Sequence, residues 1–420
     1  MLSVPLLSNK KEFFVLLGVV LCIALFSLIF EFYRYTRLTQ EPLHVSKATV
    51  LNHYEKTNLQ GRSYDVLKLK LDDSGAQMYT TSWKQINVSF QDRVKIKFKT
   101  DKLTFIDFLK GFYAPSLSLY PIYEDHPPFN GKKLYAWIDE QHESEVVAEV
   151  YKTLFFATPL SKELRDDVQK WGISHLVAIS GFHLGVLSFI LFTLLNPLYR
   201  FFQNRYFPYR NAMADVGIIV FILLYGYMEL IQFTPSFMRS FVMSVIGFFL
   251  FSRGIKILSF GTLGLSAMFL LAFIPSLLFS LSFWFSVAGV FYLFLFLHHF
   301  SHLNRFVLLA VMDLGIFFLM VPIVHTFFPV FTFLQLTSPL SSLVFIVFYP
   351  LALFLHVIHC GGILDGYLLA FLHVKTLSYT LNFPVWFLGG YIGLSLLAIR
   401  FRFGVFLCLG ISFLSLFFIQ

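Results

Sequence analysis

From residue 173 onward the chain is a succession of apolar runs with little polar sequence between them. Candidate membrane spans of about 20 residues fall near 173–199, 213–232, 236–252, 257–279, 281–298, 306–328, 333–358, 361–374, 384–399 and 403–419. Another run, "FFVLLGVVLCIALFSLIF" at residues 13–30, follows Lys10 and Lys11. Its charged start and apolar middle imitate a signal peptide, but no small-residue cleavage site follows, so it reads as a retained anchor. The expected fold is a polytopic α-helical membrane protein of about eleven spans. The segment 361–374 is short enough to re-enter instead of crossing.

Composition points the same way, since 57% hydrophobic and 13% charged residues, with 55 phenylalanines in 420 residues, exclude a soluble domain. The net charge of +8 would suit nucleic acid or anionic lipid. In a membrane protein it also records lysines and arginines kept at cytoplasmic helix ends. With the anchor's lysines inside, the turns assigned to the cytoplasm hold Arg200, Arg205, Arg210, Arg253, Lys256, Arg305, Arg400 and Arg402, and those outside hold only Lys375. That one-sidedness puts the polar domain and the carboxyl terminus outside. Cys22, Cys360 and Cys408 all sit in apolar segments, so neither a disulfide framework nor a cysteine zinc site can be built.

Four regions follow: the anchor over 1–31, a strand-rich domain over 41–112, a connector over 113–172 and the membrane domain over 173–420. In the strand-rich domain "YDVLKLKL" alternates around Lys68 and Lys70, and "RVKIKFK" around Lys95, Lys97 and Lys99. Short strands with turns at Gly61 and at "DDSG" (72–75) suit a small closed barrel of the OB type. Such barrels bind single strands through a basic groove and aromatic platforms, here Tyr64, Tyr79 and Trp83. The plainer reading of the lysine rows is a solvated outer face that blocks edge pairing. The connector holds two helical stretches, "VVAEVYKTLFFA" and "SKELRDDVQKWG"; the first would lie in the membrane interface or pack against the barrel.

The chemistry concentrates in "SHLVAISGFHLGVL", residues 174–187. A histidine in a span must find a polar partner or a watery cavity, and Ser180 and His183 project from a shared face. Ser180 and Gly181 also permit a helix break, whose freed carbonyls are tolerated only beside protein or water. One reading is a lined path flanked by His175 and His183. Another is simple small-residue packing, and a third is an intramembrane serine hydrolase in which His183 activates Ser180. Against the third, Ala178 stands where a GxSG motif needs glycine. Other intramembrane charges are few. Arg239 and Glu229 could pair across a short turn, with the arginine either touching entering phosphate or fixing a hairpin. Asp313 shares a span with His325 and would pair with a histidine or take part in proton coupling; Asp365 lies in another span. The "HHFSH" cluster (His298, His299, His302) has no evident fourth ligand, so no metal is expected.

Four blocks carry a family resemblance. "LSKELRDDVQKWGISHLVAISGFHLGVL" resembles the signature of the ComEC-type competence family, usually worded SHLLAISGLHVGLL. "TPSFMRSFVMSVIGFFLFSRG" (234–254) resembles its PSxxRAxxM segment. "SLLFSLSFWFSVAGVFYLF" is similar to its GFQLSFxAVxGLL stretch, and residues 321–355 to the segment ending in "SPLSSLVFIVFYPL". The resemblance implies a channel in the bacterial inner membrane that passes single-stranded DNA into the cytoplasm during natural transformation, with an external OB-like domain. Long members add an external metallo-β-lactamase-like nuclease domain with an HxHxDH motif; none occurs here, which matches a short form that is no enzyme and needs no cofactor. The paired cysteines of some members' external domain are missing too. The implied partners are single-stranded DNA, membrane lipid, an external DNA receptor, a separate nuclease and a cytoplasmic ATPase motor, since no Walker A pattern appears. A secondary transporter of a small solute remains the alternative of another class, although such proteins normally show two similar halves.

Overall fold

The apolar run at the amino terminus forms α1 (Lys10–Leu38), a single helix of 29 residues. It runs on past the anchor into the polar domain, where Leu38 is buried and the Tyr35 hydroxyl donates to the Leu103 carbonyl at 2.9 Å. The computed structural model describes residues 10–58, 61–83, 86–122, 131–252 and 259–418; Arg253 and Lys256 lie outside these.

The polar domain is one six-stranded sheet of β1 (Leu43–Thr57), β2 (Ser63–Leu71), β3 (Gln77–Ser82), β4 (Arg93–Lys99), β5 (Phe112–Tyr113) and β6 (Ser116–Ile122), in the order β5-β3-β2-β1-β4-β6. The long β1 pairs β4 with its first half and β2 with its second, and shifts register between Val50 and Asn52. Period-two alternation decides which face is core. Val94, Ile96 and Phe98 are fully buried, and Lys95, Lys97 and Lys99 take the opposite face. The ladder does not close, which corrects the expectation of a closed barrel: β5 and β6 are its two edges. They are successive pieces of one segment interrupted at Pro115, which has no N–H with which to continue a ladder. The Ser116 hydroxyl, donating to the Thr81 carbonyl at 2.9 Å, reaches across the gap to β3. Strand β6 also carries the sheet past residue 112. A short helix α2 (Phe105–Lys110), capped by Thr104, seals one end.

The connector supplies α3 (Lys132–Asp139), α4 (Glu145–Phe156) and α5 (Lys162–Lys170). Eight of the residues of α4 are buried, among them Tyr151, Phe155 and Phe156. They pack neither on the sheet nor along a free surface but on Phe345, Tyr349 and Ala352 of a later helix.

The membrane domain follows as α6 (Ser174–Val177), α7 (Gly181–Tyr206), α8 (Ala212–Leu230), α9 (Pro235–Ser252), α10 (Phe260–Phe273), α11 (Leu281–Phe300), α12 (Arg305–Phe327), α13 (Ser338–Val357), α14 (Asp365–Leu372), α15 (Val385–Leu397) and α16 (Arg402–Ser415). A two-stranded ladder pairs β7 (Val330–Phe331) with β8 (Tyr379–Thr380). Among the described residues six helices are long and apolar enough to cross a membrane, and five apolar helical segments are shorter, Ser236–Leu250, Phe260–Phe273, Gly361–Leu372, Val385–Leu397 and Arg402–Ser415. Those five fall on the remaining expected spans, but each is shorter than the ~20 residues a straight crossing needs.

Contacts sort the helix ends into two groups. The sheet domain meets the α8–α9 turn, where Lys70 Nζ lies 5.8 Å from the Phe233 ring, and the α10–α11 turn, where Lys110 Nζ lies 5.1 Å from Phe279. At the other end Arg402 stacks 4.6 Å over Phe300, and the His299 Nε2–H donates to the Ala398 carbonyl at 2.8 Å. The arginine-rich turns therefore gather away from the sheet.

Candidate functional site

The segment between α5 and α7 is a helix broken twice. After Trp171, Gly172 turns with φ +66°, α6 makes one turn, and Ala178 to Ser180 run extended before Gly181 starts α7. Gly172 is required twice over. Its backbone lies in the left-handed region, and a Cβ there would come within 3.2 Å of the Gln335 side chain.

Breaking a helix beside apolar spans frees carbonyls that lipid cannot satisfy. Four of them receive donors from distant elements. Gln335 Nε2 donates to the Gln169 carbonyl at 3.1 Å, and Ser338 Oγ to the Gly172 carbonyl at 3.1 Å. The Thr332 hydroxyl donates to Lys170 and the Ser236 hydroxyl to Ile179. His175 adds its Nδ1–H to Gly172 at 3.1 Å, with Nε2 3.4 Å from Ser342 Oγ. The Trp171 indole N–H donates to the Phe371 carbonyl at 3.0 Å while its ring stacks on Phe371. The break is thus a constructed feature, held by α9 and by residues 332–342. Sequence reading singled out Ser180, Gly181 and the histidines but not Ser236, Thr332, Gln335 or Ser338. The only signal for these four was polar residues inside otherwise apolar family blocks.

His183 is fully buried. Its Nδ1 accepts the Ser180 backbone N–H at 3.2 Å, as the N3 residue of a capping box does. A neutral ring then carries its proton on Nε2, which is buried without a hydrogen-bond partner. The ring stands edge-on to Tyr349, with centroids 4.5 Å apart. Ser180 Oγ also lies 3.2 Å from His183 Nδ1. That distance would serve a serine nucleophile, but the Ser180 amide already occupies the same nitrogen, and no carboxylate orients the ring from Nε2.

A Cβ on Gly181 would sit 3.0 Å from Ser240 Oγ, whereas one on Gly185, a turn later, would meet nothing within 4 Å. Gly185 opens onto a groove of about 440 Å³ between α7 and α13, lined by Phe182, Val186, Phe189, Ile190, Ile346 and Pro350. Its lining side chains are all apolar, and His183 is not among them.

The remaining expected residues are dispersed. Arg239 is buried at 3% exposure, donates to the Ser282 carbonyl, reaches Ser282 Oγ at 3.1 Å and lies over Phe283. Among the described ion pairs none joins it to Glu229, which is exposed at the end of α8. Asp313 Oδ2 is buried with no hydrogen-bond partner, and His325 spends its Nδ1–H on the Phe328 carbonyl at 2.9 Å. On the sheet, Lys68 Nζ lies 5.5 Å over Tyr79 and Tyr64 packs against Trp83 at 5.3 Å. Lys70 lies against the Phe233 ring of the membrane domain, while Lys95, opposite Tyr120 of β6, and Lys99 are exposed. Among the described residues no three His, Cys, Asp or Glu side chains are arranged so as to hold one metal ion.

Long apolar helices, a polar segment broken at their mouth and a polar domain docked on one end define a multi-pass membrane protein. The chain belongs to the competence protein family, whose match covers residues 157–419, more than half of its length. That membership gives it a role in DNA uptake for transformation. Neither a curated protein nor a solved structure matches it.

Proposed function

We propose that this protein is a channel of the bacterial inner membrane that passes single-stranded DNA into the cytoplasm and itself catalyses no reaction. The observation that carries the reading is the family match, which begins just before the twice-broken helix and runs through every later membrane helix. The sheet domain lies outside as an OB-like DNA-facing module, on the evidence of arginine-rich turns gathered at the opposite end of the bundle. Its β4 row of Lys95, Lys97 and Lys99 then meets phosphate from the external side. The chain traverses the bilayer nine times, through α1, α7–α12, α15 and α16, and ends outside. Helices α13 and α14 form a hairpin that leaves and rejoins the outer side, because the turn between them is bonded to connector residues Gln141 and His142. An external DNA receptor, a separate nuclease and a cytoplasmic ATPase motor complete the pathway.

The test is uptake of end-labelled duplex DNA by cells lacking the protein and complemented with variants. Loss of DNase-protected label with surface binding intact is expected in the deletion strain. Ser180→Ala should restore most uptake and His183→Ala little. Equal loss in both, with covalent labelling of residue 180 by a serine-directed reagent, would favour the hydrolase supported by the Ser180–His183 distance. Normal uptake in the deletion strain would end the channel reading.

A further inference from the structure

The α13–α14 turn meets the connector through a buried chain of three titratable groups. Asp365, at the start of α14, accepts from His142 Nδ1 at 2.9 Å, and His142 Nε2 lies 3.0 Å from His356 Nε2 at the end of α13. His356 closes the chain by donating Nδ1–H to the Ala352 carbonyl at 2.7 Å. The His142 side chain and His356 are fully buried, and only Asp365, at 16% side-chain exposure, reaches solvent. Tyr151 of α4 stacks on the His142 ring with centroids 4.8 Å apart.

Counting donors fixes the proton inventory. A carbonyl only accepts, so His356 Nδ1 carries a hydrogen, and in a neutral ring its Nε2 is a bare lone pair. A carboxylate also only accepts, so His142 Nδ1 carries a hydrogen as well. Were His142 neutral, two lone pairs would face each other across 3.0 Å in a site that excludes water. A second hydrogen on His142 removes the conflict, bridges the two Nε2 atoms and makes His142 the cationic partner of Asp365. Net charge in the chain is then zero, as burial demands.

Among the described residues nothing else nearby supplies that balance. From α4 the facing group is the Tyr151 phenol, kept neutral because burial pushes it up and the Asp365 charge pushes it further. His359 lies against the Trp137 ring, and Lys152 of α4 is paired with Asp139 of α3 at 2.6 Å. The backbone is built to admit this approach. His359, two residues past α13, turns with φ +57°, and Gly361 donates its N–H to Gln141 Oε1 at 3.1 Å. A Cβ on Gly361 would fall 2.8 Å from His356 Nε2, and one on Gly362 2.8 Å from the Gln141 carbonyl.

We propose that Asp365, His142 and His356 form a proton-binding latch, in which one proton held between the two imidazoles locks the α13–α14 hairpin to the connector. The hairpin so locked carries Phe345 and Tyr349, which cover His183 at the broken helix. Asp365 is the port through which the proton exchanges with water.

The test uses full-length protein in nanodiscs with ¹⁵N-labelled histidine and needs no DNA, so its outcome is independent of the channel reading. One ring protonated on both nitrogens is expected at neutral pH. Asp365→Asn should convert it to a singly protonated ring without opening the turn, because an asparagine amide can donate to His142 Nδ1 and free its only proton for His356. Labelling of Cys360 by a membrane-impermeant maleimide in intact cells reads the latch itself. It should be slow in the wild type and in Asp365→Asn, and at least tenfold faster in Asp365→Ala and His142→Ala. A wholly neutral His142 in the wild type, a doubly protonated ring that persists in Asp365→Asn, or Cys360 reached only from the cytoplasm would each overturn the proposal. So would one equivalent of a transition metal that is lost in His356→Gln.

Discussion

The sheet domain and the helical domain are built from the same side chains turned opposite ways. In the sheet Leu67, Leu69, Leu71 and Phe98 show no exposed surface, while Lys95 and Lys99 face out. Among the helices Leu194 is 66% exposed and Phe189 72%, whereas Ser412, His183 and His356 show none. Water drives apolar area inward; lipid is as apolar as leucine and leaves only packing and hydrogen bonds to hold helices together. The four-helix contact of α11, α12, α15 and α16 illustrates the second regime. Tyr292 meets Ser395 at 2.9 Å, and Tyr391 meets both the Leu319 carbonyl and Ser412 at 3.0 Å. Each such bond contributes about 0.6 kcal/mol on average in a membrane helix bundle, so stability there is spread over many small terms.

One substitution made in both regions breaks or sharpens that contrast most. Leu69→Ala empties a fully buried site in the sheet and should cost about 2–5 kcal/mol. Leu194→Ala removes the same atoms from a lipid-facing position and should change stability by less than about 0.5 kcal/mol. Thermal unfolding of the full chain in nanodiscs, followed separately by sheet and helix signals, compares them. Equal losses would mean that Leu194 is covered by protein, and the inside-out description of α7 would fail.

The glycines of α7 give the next effect. Gly181→Leu forces side-chain atoms toward Ser240, whose Oγ is already 3.0 Å from the Cβ position, and overpacking of this kind costs about 1–3 kcal/mol. Gly185→Leu, with nothing within 4 Å of its Cβ position, projects into the apolar groove and should be tolerated. Membrane yield and melting temperature of the two variants should diverge. A Gly185→Leu protein that folds normally but no longer takes up DNA would identify the groove as part of the conducting path.

How much of this was legible beforehand depended on sequence separation. The alternation of Val94, Ile96 and Phe98 with three lysines declares its buried face locally, and the structure keeps it. Ser180 and Gly181 declare a break, because a capping residue beside a glycine is a local signal. What satisfies the freed carbonyls is not local, since Gln335 and Ser338 reach back 166 residues. The His142–Asp365 bond spans 223 residues, and the polar stretch "EQHES" around His142 carries no local signal of a buried partner. Helix α4 was ambiguous for another reason: a single apolar face does not say what will cover it, and α13 does so here. The barrel expectation failed at Pro115, where the segment that supplies both edges of the ladder is split into β5 and β6.

The smallest expected effect is electrostatic and belongs to the sheet side of the contrast, where water can supply and remove protons freely. Asp73 lies in the β2–β3 turn. Burial raises its carboxyl, but the His44 hydrogen bond at 2.6 Å, the His44 charge, the Ser46 hydroxyl and the Ser74 N–H together outweigh burial and hold it below the ordinary value of 3.8. A carboxyl lowered in the folded state adds stability that is present above its unfolded value and is lost as pH falls through the folded one. The sheet's melting temperature should therefore decline as pH drops below about 4, and Asp73→Asn should flatten that decline by bringing the neutral-pH value slightly down toward the acid one, a small drop because the ion pair is half exposed and screened. The helix signal should not share this dependence on Asp73. If Asp73→Asn alters the acid response of the helices as strongly as that of the sheet, the two regions unfold as one unit, and their contrast is one of construction only.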